Sequence, residues 1–369
     1  MSVLSVILFS SVFVIALIME NSLEIEGIEV SPYNKKYKNK YNIVFAIILF
    51  LIAALRHPNT GADTSGYYWM YNKMLSDFNS LDYYWIQFIT AIKNGTYTDT
   101  LNWELLSKLL SYVIRDGQLW LALVSAVFIF TVYKTIKEYS EDPVISWVYI
   151  LCIYIYTFIL QGLRQSIAMA FILMSIKYVY KRNLLGFIIM VTLATLFHQS
   201  AKVFFIVYPL YNLKVSNIYF LIIAVSFFVA RFFSSIVSVI LNKLVTDSRF
   251  SDYLQGRENM YSATSFFVLG AIFIFCYVNK DKLLKKNPQN QILYTISMLS
   301  LVIQSTAGIV AEMFRVSYYF NMFNMLLVAN VCSSIEDDKK RRQTKFIILL
   351  IFVLYFFVSG GYRYKFYWQ

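Results

Sequence analysis

The groups in this chain best suited to chemistry are arginines at the ends of apolar runs. Arg56 closes one such run in LRHPNTGADTSGYY, where Pro58 and Gly61 force a turn and Asp63 follows. A guanidinium and a carboxylate on one turn could cradle a substrate. The same residues also suit an anchored interfacial arginine and a helix-capping aspartate. Arg164 lies in FILQGLRQSIAMA, after Gly162 and beside Gln165. A guanidinium stays charged in any environment and grips phosphate with two parallel hydrogen bonds. A helix start there adds positive potential for an anion; snorkelling to the interface is the competing explanation. His198, in TLFHQSAKVFF, is either a hydrogen-bonded structural group or a proton-transfer group working near neutral pH. Glu312 and Arg315, in AGIVAEMFRVSYYF, stand at i and i+3 on one helical face. They either neutralise each other or present Arg315 to an anion with Glu312 orienting it.

Three run-end arginines with a histidine and carboxylates nearby suit a large polyanionic headgroup, for which a diphosphate on a lipid carrier is the natural candidate. Donors placed where charge develops would stabilise a leaving pyrophosphate, and guanidinium groups can supply them without a metal. No metal site and no cofactor are expected. His57 and His198 are the two histidines, no HExxH is present, and Cys152, Cys276 and Cys332 form no CxxC. The cysteines are read as free, buried thiols.

The elements that must carry these groups are apolar. Of 369 residues, 59% are hydrophobic and 15% charged, against about 45–50% and about 25% in soluble domains. The chain is therefore read as an integral membrane protein, which excludes a cytosolic enzyme, a nucleic-acid binder and a disordered regulator. The formal charge of +12 is first a matter of basic loops held against anionic lipid. Twelve spans are expected, at 3–19, 41–55, 118–133, 144–160, 165–180, 184–197, 202–213, 217–233, 263–279, 291–310, 316–333 and 346–360. Several fall short of the ~20 residues of a simple spanning helix; the weakest pair is 184–197 and 202–213. The first is read as a retained span, since no Lys or Arg precedes it and glutamates, not a cleavage site, follow. Most lysines and arginines fall in alternate gaps, such as Lys35, Lys36, Lys38 and Lys40, and Lys339, Lys340, Arg341, Arg342 and Lys345. The positive-inside rule then places both termini and all the candidate site groups outside.

One domain over 1–369 is expected, with long outer loops at 56–117 and 234–262. In the first, Thr64 and Ser65 precede an aromatic run of Tyr67, Tyr68, Trp69 and Tyr71. Asn102 can cap a helix with Leu105, Leu106, Leu109, Leu110 and Val113 on one face and Glu104, Lys108 and Ser111 on the other. Such a helix lies in the membrane interface or packs on the bundle. The second loop mixes Lys243, Asp247, Arg249, Asp252, Arg257 and Glu258 with Tyr253 and Tyr261, which suits a sugar-facing lid or any solvated loop.

The ordered series LRHPNTGADTSGYY, LQGLRQSIAMAF, LFHQSA and FRVSYYF, over residues 55–320, resembles the EpsG-like branch of the Wzy polysaccharide polymerases. The chain departs from that pattern at His57 and Pro58, where an aromatic and a small or acidic residue are expected. The resemblance implies an all-α polytopic fold similar to GT-C-type glycosyltransferases, in the bacterial plasma membrane with its site facing outward. It implies a donor glycan on undecaprenyl diphosphate, a second lipid-linked repeat unit as acceptor, and release of undecaprenyl diphosphate. Arg56, Arg164 and Arg315 would bind diphosphate, and His198 would be a base or position a hydroxyl. Asp63 and Glu104 would be secondary candidates for sugar contacts or proton transfer. Membrane lipid surrounds such a protein, a chain-length regulator is one candidate partner, and nucleic acid is not expected.

Two other functions compete. A flippase or transporter of the same lipid-linked sugars suits twelve spans, but would show repeat halves and a cavity open to both sides. An O-acyltransferase would need an acyl-donor site reachable from inside, and no His-bearing basic site lies on that side.

Overall fold

Long apolar runs with few Gly and Pro interruptions become helices, and the computed structural model, which describes residues 9–15, 35–76, 80–237, 239, 260–307, 309, 313–358 and 364–369, is mostly helical there. After a helical stretch over 9–15, the longer elements are α1 (Lys35–Ala54), α2 (Thr64–Ser76), α3 (Leu81–Lys93), α4 (Asp99–Ser111), α5 (Gly117–Tyr139), α6 (Pro143–Cys152), α7 (Ile155–Ile159), α8 (Leu163–Tyr180) and α9 (Leu184–Phe197). There follow a 3-10 segment (Gln199–Val207), α10 (Ile218–Phe232), α11 (Met260–Val278), α12 (Lys280–Lys286), α13 (Gln291–Thr306), α14 (Met313–Asn321), α15 (Asn324–Ser333) and α16 (Asp338–Val358). Among the described residues, α5 alone is both long and apolar enough to cross a membrane; α6, α9, α10 and Thr264–Val278 are shorter apolar helices.

Three expected spans differ in form. The 144–160 run breaks between α6 and α7, where Tyr154 takes a left-handed φ of 58°. Its hydroxyl donates to the Phe356 carbonyl at 2.8 Å, so packing against α16 holds a conformation that a non-glycine residue rarely adopts. The 316–333 run divides into α14 and α15 around Met322 and Phe323. The 202–213 run is 3-10 helix, interrupted before Pro209, which lacks the N–H that would continue a helix.

The gaps expected on one side do meet at one end of the bundle. Lys38 pairs with Glu141 at 2.7 Å and Lys345 with Asp142 at 2.6 Å. Asn330 donates to Asn290 Oδ1 at 3.0 Å and accepts from the Glu141 N–H at 2.8 Å. At the other end, a smaller apolar cluster of Tyr71, Trp103, Trp120, Leu121, Val124, Leu163 and Ile167 ties α2 and α4 to α5 and α8. Tyr71 stacks on Trp120 with ring centroids 4.5 Å apart, and its hydroxyl donates to the Ile114 carbonyl at 2.8 Å. Each such ring contributes about 1.5–3 kcal/mol by burial, enough to anchor the 56–117 segment as a folded cap. Burial also pushes the Tyr71 phenol up to about 12.

Helix α4 corrects the sequence expectation twice. It begins at Asp99 with Thr98 as its cap residue, and Asn102 instead donates to the Tyr97 hydroxyl and, at 2.6 Å, to the Leu196 carbonyl. Its buried face holds Asp99, Trp103, Ser107, Lys108 and Ser111, while Leu109 is 45% and Val113 82% exposed. The polar groups turn inward because each finds a partner there: Lys108 donates to the Met74 carbonyl at 3.1 Å and lies near the faces of Tyr84 and Tyr112. Helix α5 likewise presents Leu119, Leu123, Val127 and Phe130 outward as a stripe.

Candidate functional site

Gly162 sets the first part of the site. It precedes α8 and lets the chain turn closely over Phe158: a Cβ at this position would stand 2.7 Å from the Phe158 ring. That turn places Arg164 in the first turn of α8, where a cation meets the positive end of the helix dipole and needs a carboxylate partner. Asp99, the first residue of α4, provides it. Arg164 Nη1 donates to Asp99 Oδ1 at 2.8 Å and to Thr100 Oγ1 at 2.9 Å, and Nε donates to the Tyr67 hydroxyl at 3.3 Å. Both ion-pair partners are largely buried. Three side chains on two helices, α2 and α4, thus fix one guanidinium.

The other carboxylate oxygen of Asp99 reaches the backbone next to the histidine. Asp99 Oδ2 accepts from the Gln199 N–H at 3.0 Å. His198 is the extended residue between α9 and the 3-10 segment, with φ −153° and ψ 111°, so its imidazole projects where the helix stops. His198 Nδ1 lies 2.7 Å from Ser200 Oγ, and Ser200 donates to the Tyr319 hydroxyl at 3.3 Å. Ser200 thus links the His198 imidazole to the Tyr319 phenol.

Arg315 joins through its backbone. Gln165 Nε2 donates to the Arg315 carbonyl at 2.7 Å, and the Arg315 guanidinium lies 5.9 Å from the centre of the Phe158 ring. Gln165 Oε1 is buried without a hydrogen-bond partner among the described residues. Glu104 stands one turn along α4 from Asp99. Burial pushes its carboxyl above the usual carboxylate value, and the positive charge of Arg164 draws it part of the way back.

The structure therefore brings Arg164, Gln165, Arg315, His198 and Glu104 to one end of the bundle. Arg56 is at a neighbouring turn, fully buried, donating to the Ala53 carbonyl and to Ser125 Oγ at 2.8 Å. Asp63 is exposed just ahead of α2, so the turn does not form a shared pocket of guanidinium and carboxylate. The turn nonetheless abuts the site: the Ala62 N–H donates to Gln161 Oε1 at 3.1 Å, and Thr64 Oγ1 to the Leu160 carbonyl at 2.7 Å. Glu312 and most of the 234–262 loop lie outside the described residues. Among the described residues no three His, Cys, Asp or Glu side chains group as metal ligands.

Asp99, Thr100, Ser200 and Tyr319 were not singled out in the sequence, and Tyr67 was read only as part of an aromatic run. Asp99 carried a readable signal, an acidic residue at a helix start, but its partner lies 65 positions away. Tyr319 lies within the quoted FRVSYYF motif, where its hydroxyl was read as part of an apolar run.

No curated protein and no solved structure matches the chain. The EpsG family model matches residues 39–368, a stretch that takes in every described residue of the site. Membership of that family means a polysaccharide-biosynthesis polymerase of general glycosyltransferase type. With its arginine-bearing turns, its histidine and this match over nearly its whole length, the chain belongs to the EpsG family.

Proposed function

We propose that the protein is a multi-pass polymerase of the bacterial plasma membrane that joins lipid-diphosphate-linked glycan repeat units at the outer membrane face. The observation that carries this reading is the single carboxylate, Asp99, that holds both the Arg164 guanidinium and the backbone beside His198. A fixed cation for a diphosphate and a proton acceptor for a sugar hydroxyl are thereby kept in register.

In the reaction, a hydroxyl at the nonreducing end of the acceptor unit attacks the anomeric carbon of the donor. A carbon–oxygen bond forms to the acceptor and the bond from that carbon to the diphosphate oxygen breaks. The electron pair leaves with undecaprenyl diphosphate, and the hydroxyl proton passes to the His198 imidazole. Arg164 receives the developing charge on the diphosphate, where a preorganised donor is worth more than water. Arg56 and Arg315 act on the same group, with Glu312 orienting Arg315. Gln165 Oε1 accepts from a substrate hydroxyl, and Glu104 and Asp63 contact sugar or relay protons. No metal or cofactor takes part in this scheme.

Several features support the membrane placement: the apolar composition, the outward stripe of α5, the exposed Leu109 of α4 and Val113 just beyond it, and the gathering of basic gaps at the end away from the site. A helix such as α4, with apolar side chains turned outward, suits the membrane interface.

The test is to supply purified protein with lipid-linked repeat units, without nucleotide sugar or added metal. A ladder of longer glycans is expected. Movement of substrate across liposomes without a ladder would overturn the polymerase and favour a flippase.

A further inference from the structure

Residues Tyr364–Gln369 form a strap over the turn that carries Arg56. Phe366 pairs with Arg56 as an isolated antiparallel bridge. The His57 N–H donates to the Lys365 carbonyl at 2.8 Å, the Tyr367 N–H to the Leu55 carbonyl at 2.9 Å, and the Tyr364 hydroxyl to the Ile52 carbonyl at 2.7 Å. Thr60 Oγ1 adds a contact to the Lys365 carbonyl at 3.3 Å. So many main-chain bonds fix a short segment firmly, yet its rings are not consumed by packing. Phe366 and Trp368 stack with centroids 4.5 Å apart and planes 6° from parallel, and Tyr367 meets Trp368 edge-on at 5.0 Å. Trp368 remains 60% exposed and Tyr367 50%. Phe366 backs one face of the indole, and much of the ring system is left exposed.

We infer that this stack, Phe366 with Tyr367 and Trp368, is a platform for the pyranose rings of the glycan, a sugar subsite beside the Arg56 turn; the acceptor role of that glycan rests on the polymerase reading. Three observations select sugar as the occupant. An aromatic face is electron-rich, and the C–H-bearing face of a pyranose fits flat on it through weak C–H contacts, which requires the flat, rigid, one-sided stack seen here. The surroundings are polar: His57 and Thr60 bond the strap, Asn59 joins them through His57, and Asn59 and the strap's own Lys365 are exposed and can bond the ring hydroxyls. A lipid-facing patch would instead continue as an apolar stripe, as on α5. Third, cross-strand partners share a face of a ladder, so Phe366 lies on the side of Arg56. The turn beyond Arg56 joins the Arg164 turn through Ala62 and Gln161, so a glycan on Trp368 sits beside the diphosphate groups.

The test uses the full chain in lipid nanodiscs with fluorotryptophan at its six tryptophans, the Trp368 signal being identified with Trp368→Phe. The probe is the source cell's surface polysaccharide cut to soluble fragments. The Trp368 signal should shift and saturate with added fragments, and Tyr367→Ala should raise the midpoint about tenfold. No shift with fragments overturns the inference. Broadening of Trp368 by spin-labelled lipid, with no response to fragments, overturns it in favour of a bilayer contact. Because binding is read without turnover, a wild-type protein that makes no ladder removes the polymerase reading and leaves the fluorine result to decide the platform. Where a ladder forms, Trp368→Ala should raise the acceptor KM with kcat retained and Trp368→Phe should recover most of it. An unchanged KM in both variants overturns the acceptor role.

Discussion

Asp99 divides its two carboxylate oxygens between the charges that matter: Oδ1 lies 2.8 Å from Arg164 Nη1, and Oδ2 accepts from the Gln199 N–H at 3.0 Å, next to His198. An ion pair this sheltered is a poor source of net stability but a costly one to break, because removing one partner leaves the other charge buried alone.

Asp99→Ala should therefore destabilise the protein by about 3–5 kcal/mol, seen as a fall in the thermal denaturation midpoint of the purified protein. Adding Arg164→Leu to that variant should recover part of the loss, since coupled sites are not additive. A double variant that merely sums the two single losses would show that the pair does not act as a unit.

Glu104 makes the fold sensitive to pH. Burial raises its carboxyl above the ordinary value, the cation of Arg164 opposing in part. An acid with a raised folded-state pKa contributes its stability while protonated, below the unfolded value, and loses it as pH rises through the folded value. Glu104→Gln should match wild type at acidic pH and become the more stable of the two as pH rises through the carboxylate range toward neutrality. A midpoint difference that stays flat over about pH 4–8 contradicts this assignment.

Much of the helical frame was legible in the sequence, because apolar runs bounded by charge leave few alternatives. The 184–197 run is a helix with those bounds, and the break after it, the least certain of the boundaries, falls at His198. The breaks at Tyr154 and at Met322–Phe323 were not legible, since neither carries Gly or Pro and tertiary packing decides them. The α4 face was misjudged for a related reason. Its leucines were grouped on one face opposite Lys108 and Ser111, but those two polar residues are buried, while Leu109 is exposed and Leu105, Leu106 and Leu110 are half-buried. At the site, the arginines and the histidine could be read from charges inside apolar runs. Asp99 could not, because its role exists only where α4 meets α8 and the turn after α9.

Gly162→Ala tests the close turn beneath the site. The added Cβ would stand 2.7 Å from the Phe158 ring, which packs on Tyr318 at 5.0 Å between centroids and lies under Arg315. A loss of about 1–3 kcal/mol from overpacking is expected, and Phe158→Leu in the same chain should relieve part of it. If Gly162→Ala leaves both denaturation midpoint and activity unchanged, the turn is not a tight constraint on the site.

The most direct test of the account is the rate of ladder formation by Arg164→Lys. Lysine keeps the charge but cannot meet Asp99, Thr100 and Tyr67 at once while turning a planar fork to phosphate. The variant should insert into membranes as wild type does and polymerise about 10²–10³-fold more slowly. A wild-type rate from Arg164→Lys would contradict the claim that this guanidinium receives the charge of the departing diphosphate.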